Sequence, residues 1–168
     1  MAKKNIDVLT LETLYEMYKN QIYTLCLRLT RSKLHADDLF GDTWIKVVEK
    51  FANIKKEKNP INWIYTVCLN IYRKSAPKWK KINDAENDVV LENFGNTFSV
   101  EEIMVKQETM RQLQKAVSSL NDKYRIPIIL FYFRDLSYNE ISEIMKLPMN
   151  TVKFRLNHAK ELLKKKWR

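Results

Sequence analysis

The sequence predicts an all-α fold of two small helical modules joined by a flexible acidic linker, the second module containing a helix-turn-helix. Three observations predict it. The 168 residues include only two glycines, Gly41 and Gly95, and four prolines, whereas a β protein needs turn residues at intervals of about ten positions. Hydrophobic residues, 45% of the chain, recur at spacings of three and four rather than alternating. An acidic stretch without sustained period separates two basic zones of helical periodicity. The expected bounds are 8–82 for the first module, 83–100 for the linker and 101–168 for the second. Each module is small for a lone core.

In the first module, a helix is expected from Ala36 to about Phe51. Its spacing turns Phe40, Trp44, Val47, Val48 and Phe51 inward and places Asp38, Asp42, Ile45 and Glu49 on the opposite face. That face is acidic in a chain whose 30 Lys and Arg against 20 Asp and Glu leave a formal net charge of +10. The overall excess suits a polyanionic partner. The acidic strip suits a basic protein instead.

The next helix opens at Asn59-Pro60, where proline fits the first turn and Asn59 can cap it. Ile64, Val67, Cys68 and Ile71 form its core face. Trp63, Thr66, Asn70, Arg73 and Lys74 gather on another. One aromatic ring, two hydrogen-bonding side chains and two cations along one stripe suit single-stranded nucleic acid. The ring stacks on a base, the amide reads an edge and the cations hold phosphates. Lys78-Trp79-Lys80-Lys81 repeats the mixture.

Between Asp84 and Glu102 there are six acids and no Lys or Arg. Ser99, ahead of Glu101 and Glu102, is the expected cap of the following helix. Leu113–Leu120 and Ile126–Phe133 read as two apolar helices, mostly core. A capping box follows, Ser137 with Glu140, and Ile141, Ile144 and Met145 then share a face. Lys146-Leu147-Pro148 is expected to stop that helix, because proline cannot donate the next backbone bond. The last helix runs from near Met149 to about Lys165, with Val152, Leu156, Ala159 and Leu163 buried. Its opposite face carries Asn150, Lys153, Phe154, Asn157 and His158, flanked by Thr151 and Arg155. A short helix, a tight turn and a longer helix with a polar, basic outer face is how a recognition helix enters the major groove. Asn and Arg can read base edges, while Lys mostly grips phosphate.

Cys26 and Cys68 sit among apolar neighbours with no Cys or His at metal-ligand spacing, so buried free thiols in a reducing cytosol are expected. No metal or other cofactor and no small-molecule substrate is expected. The start of the chain lacks the apolar run of a signal peptide. The stretch Ile126–Phe133 is far too short to span a bilayer. A cytoplasmic protein without membrane insertion is the expectation. No carboxylate pair lies with a His or Cys in a catalytic pattern, and His35 and His158 fall in different modules. A non-catalytic protein follows.

Together these segments resemble the sigma-70 family of transcription initiation factors, in its short extracytoplasmic-function type, from about Leu14 to Leu163. Ala36-Asp37-Asp38-Leu39-Phe40-Gly41-Asp42-Thr43-Trp44 resembles the family's polymerase-binding motif. Trp63-Ile64-Tyr65-Thr66-Val67-Cys68-Leu69-Asn70 resembles its promoter-melting motif, and Leu136–Ile141 with Thr151–Leu156 its helix-turn-helix. The resemblance implies core RNA polymerase and promoter DNA as partners, and an inhibitory anti-sigma factor as a third. It implies polymerase contacts at Asp37, Asp38, Leu39, Asp42 and Ile45. It implies minus-10 contacts at Trp63, Thr66, Asn70, Arg73 and Lys74, with the Ile54–Asn62 loop helping to capture an unstacked base. Minus-35 contacts are implied at Asn150, Thr151, Lys153, Phe154, Arg155, Asn157 and His158. The linker would thread toward the RNA exit path. The chain departs from the family pattern at Gly41, usually glutamine, and at Asn150, usually glycine. Leu120-Asn121 replaces the common leucine-proline, and the acid that often follows the asparagine motif is absent near Ser75. The main alternative is a helix-turn-helix repressor or activator that acts without replacing the sigma subunit. A small helical nuclease and a protein-only adaptor are the others.

Overall fold

Few glycines and many apolar residues at helical spacing leave little besides helices and tight connections, and that is what the computed structural model contains. It describes residues 10–54, 56–80 and 100–167, and every regular element among them is helical. The chain divides into two compact units, Met1–Val89 and Val90–Arg168. Most of the expected linker, and the Ser99 cap, lie outside the described residues.

In the first unit, α1 (Leu11–Thr30) begins where the Thr10 hydroxyl accepts from the amide of Thr13. It ends where Arg31 turns left-handed, φ 57°, and returns its amide to Leu27. α2 (Lys33–Glu49) starts two residues later, with Ser32 as its cap. It is followed by the short α3 (Phe51–Ile54) and by α4 (Pro60–Lys80). Helices α1, α2 and α4 pack against one another around Leu14, Ile22, Leu25, Leu29, Leu39, Val47, Ile64 and Leu69. Tyr15, Tyr23, Phe40 and Trp44 form an aromatic seam between α1 and α2, with edge-to-face contacts at 5.0 Å (Tyr15–Trp44) and 5.4 Å (Tyr23–Phe40).

Two expectations change here. The α2 helix starts earlier than Ala36, at Lys33, because the Ser32 cap precedes it. Val48 is 58% exposed. The inward stripe of α2 runs through Ala36, Leu39, Thr43 and Val47, and at 100° per residue this turns Val48 out beside Ile45.

In the second unit, α5 (Val100–Ser118) precedes α6 (Asp122–Ile128), which Asn121 caps. The expected helix at Ile126–Phe133 is divided. Pro127 lies inside α6, and the chain then widens into a π-helical segment, Ile129–Phe133. Proline supplies no amide and crowds the preceding turn, so the regular ladder is interrupted there. α7 (Tyr138–Met145) and α8 (Met149–Trp167) complete the unit. Helix α8 packs against α5, α6 and α7, burying Val152, Leu156 and Ala159, with Leu163 half-buried. Arg125 is almost wholly buried and its guanidinium bonds Asp122 Oδ1 at 2.7 Å, an ion pair that lets α6 carry a charge into the core.

Candidate nucleic-acid and partner interfaces

On α2, the outward face is built from Leu34, Asp38, Asp42, Ile45, Val48 and Glu49, all exposed. Ile45 is 61% exposed. Three aliphatic side chains among carboxylates make an amphipathic strip, and Leu34 and Val48 are the members that the sequence pattern missed. Asp37 is exposed but engaged: its Oδ1 accepts from the Tyr23 hydroxyl at 2.7 Å. Glu49 has Lys46 within 3.5 Å. Leu39 is corrected outright. It is fully buried between the helices, so it shapes the strip from beneath and offers nothing to a partner's surface. Gly41 lies on the exposed side, and a Cβ there would meet nothing within 4 Å.

The stripe on α4 is brought together as expected. Trp63 and Thr66 are half-buried, and Asn70, Arg73 and Lys74 are exposed. The rise of about 1.5 Å per residue spreads the stripe over roughly 16 Å. Thr66 donates its hydroxyl to the Asn62 carbonyl at 3.0 Å, so its oxygen keeps acceptor capacity. The core side is wider than expected, since Tyr65, Leu69 and Tyr72 are buried with Ile64, Val67 and Cys68, while Ile71 is half-buried. The expected loop before the stripe is shorter than Ile54–Asn62: Ile54 ends α3 and is buried, and Asn62 already lies in α4. Trp79, the aromatic of the lysine-rich run, is half-buried. Its ring stacks on His35 of α2, with centroids 4.9 Å apart and planes 17° apart, and fastens the end of α4 to the unit.

In the second unit, Ser137 accepts from the Glu140 amide at 3.1 Å, the expected half of the capping box. The helix stops within the expected Lys146–Pro148 segment, but the proline is not what stops it. Lys146 adopts the left-handed conformation, φ 56°, and ends α7. The amide of Leu147 reaches back to the Ser142 carbonyl, while the Ser142 hydroxyl donates to the Leu147 carbonyl. Pro148 immediately precedes the following helix, its carbonyl taking the amide of Val152 at 3.1 Å. A left-handed residue satisfies the orphan carbonyls that a proline alone would leave open.

The outer face of α8 then shows Asn150, Lys153, Phe154 and Asn157 exposed, with Thr151, Arg155 and His158 half-buried. Tyr124 of α6, which the sequence pattern did not single out, touches this face with its ring 4.8 Å from that of His158. Only the tertiary contact between α6 and α8 discloses it. Among the described residues no group of His, Cys, Asp and Glu is placed to hold a metal ion. No described helix is long and apolar enough to cross a membrane.

Comparison with known proteins agrees with this arrangement. The family model described as Sigma-70 region 2 matches residues 14–75, and the one described as Sigma-70, region 4 matches residues 110–163. The chain is similar to the ECF RNA polymerase sigma factor SigW of Bacillus subtilis, 27% identical, covering 91% of this chain and 86% of the relative. It is also similar to the ECF RNA polymerase sigma factor SigM of the same organism, 29% identical over 93% and 94% of the two chains. Among solved structures, the sigma factor RpoE of Bartonella quintana, in complex with the anti-sigma factor NepR, shares the fold. The TM-score is 0.72 at 19% identity, with 93% of this chain and 95% of that one covered. Two matched regions in order, relatives matched over most of their length and a shared fold place the chain in one family: it belongs to the sigma-70 family of RNA polymerase sigma factors, in the extracytoplasmic-function group.

Proposed function

We propose that this chain docks on core RNA polymerase, recognises a promoter at its minus-35 and minus-10 elements and starts transcription of a specific gene set. The observation that carries the proposal is the division of labour within the first unit. The exposed face of α2 is acidic and aliphatic, whereas the stripe on α4 is aromatic, amide-bearing and cationic. One suits a basic protein surface and the other suits unpaired DNA. Asp38, Asp42, Ile45 and Val48 are the polymerase contacts on this reading, with Asp37 contributing through the oxygen that Tyr23 does not hold. Residues 8–82 then serve docking and minus-10 recognition, 83–100 the connection, and 101–168 minus-35 recognition.

The mechanism follows from the chemistry of each surface. Helix α8 enters the major groove of the upstream duplex, where Lys153 holds phosphate and Asn150 and Asn157 read base edges. Polymerase holds the downstream duplex against α4. Trp63 stacks on a base that leaves the helix, Asn70 bonds an edge of it, and Arg73 and Lys74 retain the strand's phosphates. Extruding one base costs a few kcal/mol, which these contacts offset. The protein so described is non-catalytic and cytoplasmic, and an anti-sigma factor is its expected inhibitor.

Run-off transcription with purified core polymerase, with and without this protein, on promoter fragments from its own genome tests the reading. Discrete new transcripts are expected. Sequence-specific duplex binding by the free protein without any transcript would instead favour a repressor or activator.

A further inference from the structure

Helix α8 carries a ring ladder that a face for gripping phosphate does not need. Phe154 is 61% exposed, yet its ring is not isolated. It lies parallel to that of His158, with planes 8° apart and centroids 5.8 Å apart. The His158 ring packs in turn on Tyr124 of α6 at 4.8 Å, and Lys123 Nζ sits 5.5 Å from the centroid of the Tyr124 ring. Three rings thus run from α6 to the outer edge of α8. A lone phenyl on a helix surface samples several rotamers, whereas one backed by a parallel ring loses the freedom to fold back along the helix.

The surroundings indicate what covers this ring. Lys153, the residue before it, and Asn157, three residues on, are both exposed. A cation and an amide around an aromatic suit a nucleic-acid groove better than an apolar protein surface. In the major groove the apolar feature of the base edges is the 5-methyl group of thymine, and a phenyl ring is one of the side chains that contacts it. Position 154 is the sixth residue of α8, within the N-terminal part of a recognition helix that meets base edges.

We propose that Phe154 is a specificity-determining residue that selects thymine through its 5-methyl group in the upstream promoter duplex, with His158 and Tyr124 positioning the ring. This rests on the function proposed above and deepens it.

The test uses the full chain with core polymerase and promoter fragments in which each upstream thymine is replaced, one at a time, by deoxyuridine. That replacement removes the methyl group and keeps the pairing edge. One position is expected to weaken promoter complexes about fourfold, the effect of withdrawing one methyl from an apolar contact. In Phe154→Ala the penalty at that position should vanish while other positions keep theirs. His158→Ala should reduce the same penalty, and His158→Phe should retain it. Complexes that form normally and ignore every methyl, or a Phe154→Ala protein that still senses the same one, overturn the ladder proposal alone. In that case the ring faces another partner. Absence of promoter complexes altogether overturns the proposed function and this inference with it.

Discussion

The hydroxyl of Tyr23 on α1 donates to Asp37 Oδ1 on α2 at 2.7 Å, tying the first acid of the outward strip to the neighbouring helix. This bond, with burial and then the carboxylate charge adding to it, pushes the phenol up to about 12. Folding therefore favours the protonated phenol. Its contribution to stability is complete below about pH 10 and is lost as pH rises from there toward about 12. In a phenolate absorbance titration Tyr23 should ionise late among the eight tyrosines. Asp37→Asn should bring it down toward its ordinary value. An unchanged titration in that variant would mean the bond does not form in solution.

Leu39 and Ile45 occupy the same helix and the same family motif, but they should fail in different ways. Leu39 is fully buried and Ile45 is exposed. Leu39→Ala is expected to cost about 2–5 kcal/mol in chemical denaturation, as cavity-forming substitutions do. Ile45→Ala should leave the denaturation midpoint unchanged and weaken binding to core polymerase. Titrating both variants with labelled polymerase decides it. Equal weakening per folded molecule would return Leu39 to the contact surface.

Gly41 sits inside α2 with open space where its Cβ would be. Nothing in the fold requires a glycine there, and its backbone freedom in the unfolded chain is a cost. Gly41→Ala should stabilise the first unit by about 0.5–1 kcal/mol. A lower melting temperature in this variant would contradict the open surroundings.

Much of this could be read in advance, for a physical reason. Helix periodicity reports which residues share a face, and the α4 stripe from Trp63 to Lys74 and the α8 stripe from Val152 to Ala159 are both periodic. Periodicity does not report how wide the buried side is. Val48 turns out because the inward face of α2 is set by where α1 and α4 press on it; Leu39, which only the family resemblance puts among the polymerase contacts, lies buried on that inward face. Trp79 looked like a nucleic-acid aromatic because its neighbours are lysines, and only the packing of α4 on α2 reveals His35 beneath it. The stop at Lys146-Leu147-Pro148 is legible because proline is a visible breaker, but the left-handed turn of Lys146 that makes it is not.

Trp63 and Asn70 lie one above the other on α4, seven residues apart. Asn70 is exposed and Trp63 half-buried, so the two should respond differently to truncation. Asn70→Ala should preserve stability and polymerase binding while abolishing open complexes on duplex promoters. A promoter with a pre-melted minus-10 element should recover part of that loss, since the strand no longer has to be opened. Permanganate reactivity of unpaired thymines reports the opening directly. Unchanged reactivity with Asn70→Ala would remove that residue from the melting stripe.

Cys26 on α1 and Cys68 on α4 face each other across the core of the first unit, with sulfurs 3.7 Å apart and both fully buried. The contact with Cys68, followed by burial, pushes the Cys26 thiol up. The folded chain therefore keeps a proton that the unfolded chain releases above about pH 8.5. Stability from this group is complete below that pH and declines as pH rises above it, by at most about 1.4 kcal/mol per unit for one proton. Urea midpoints measured between about pH 8 and pH 10 should fall, and Cys26→Ala should flatten that fall even though the cavity lowers all of its midpoints. In the native protein a thiol reagent should label neither cysteine at neutral pH, and both should react once urea unfolds the unit. Rapid labelling of either sulfur without denaturant would show that α1 and α4 separate readily, and a pH dependence argued from their burial would then have no basis.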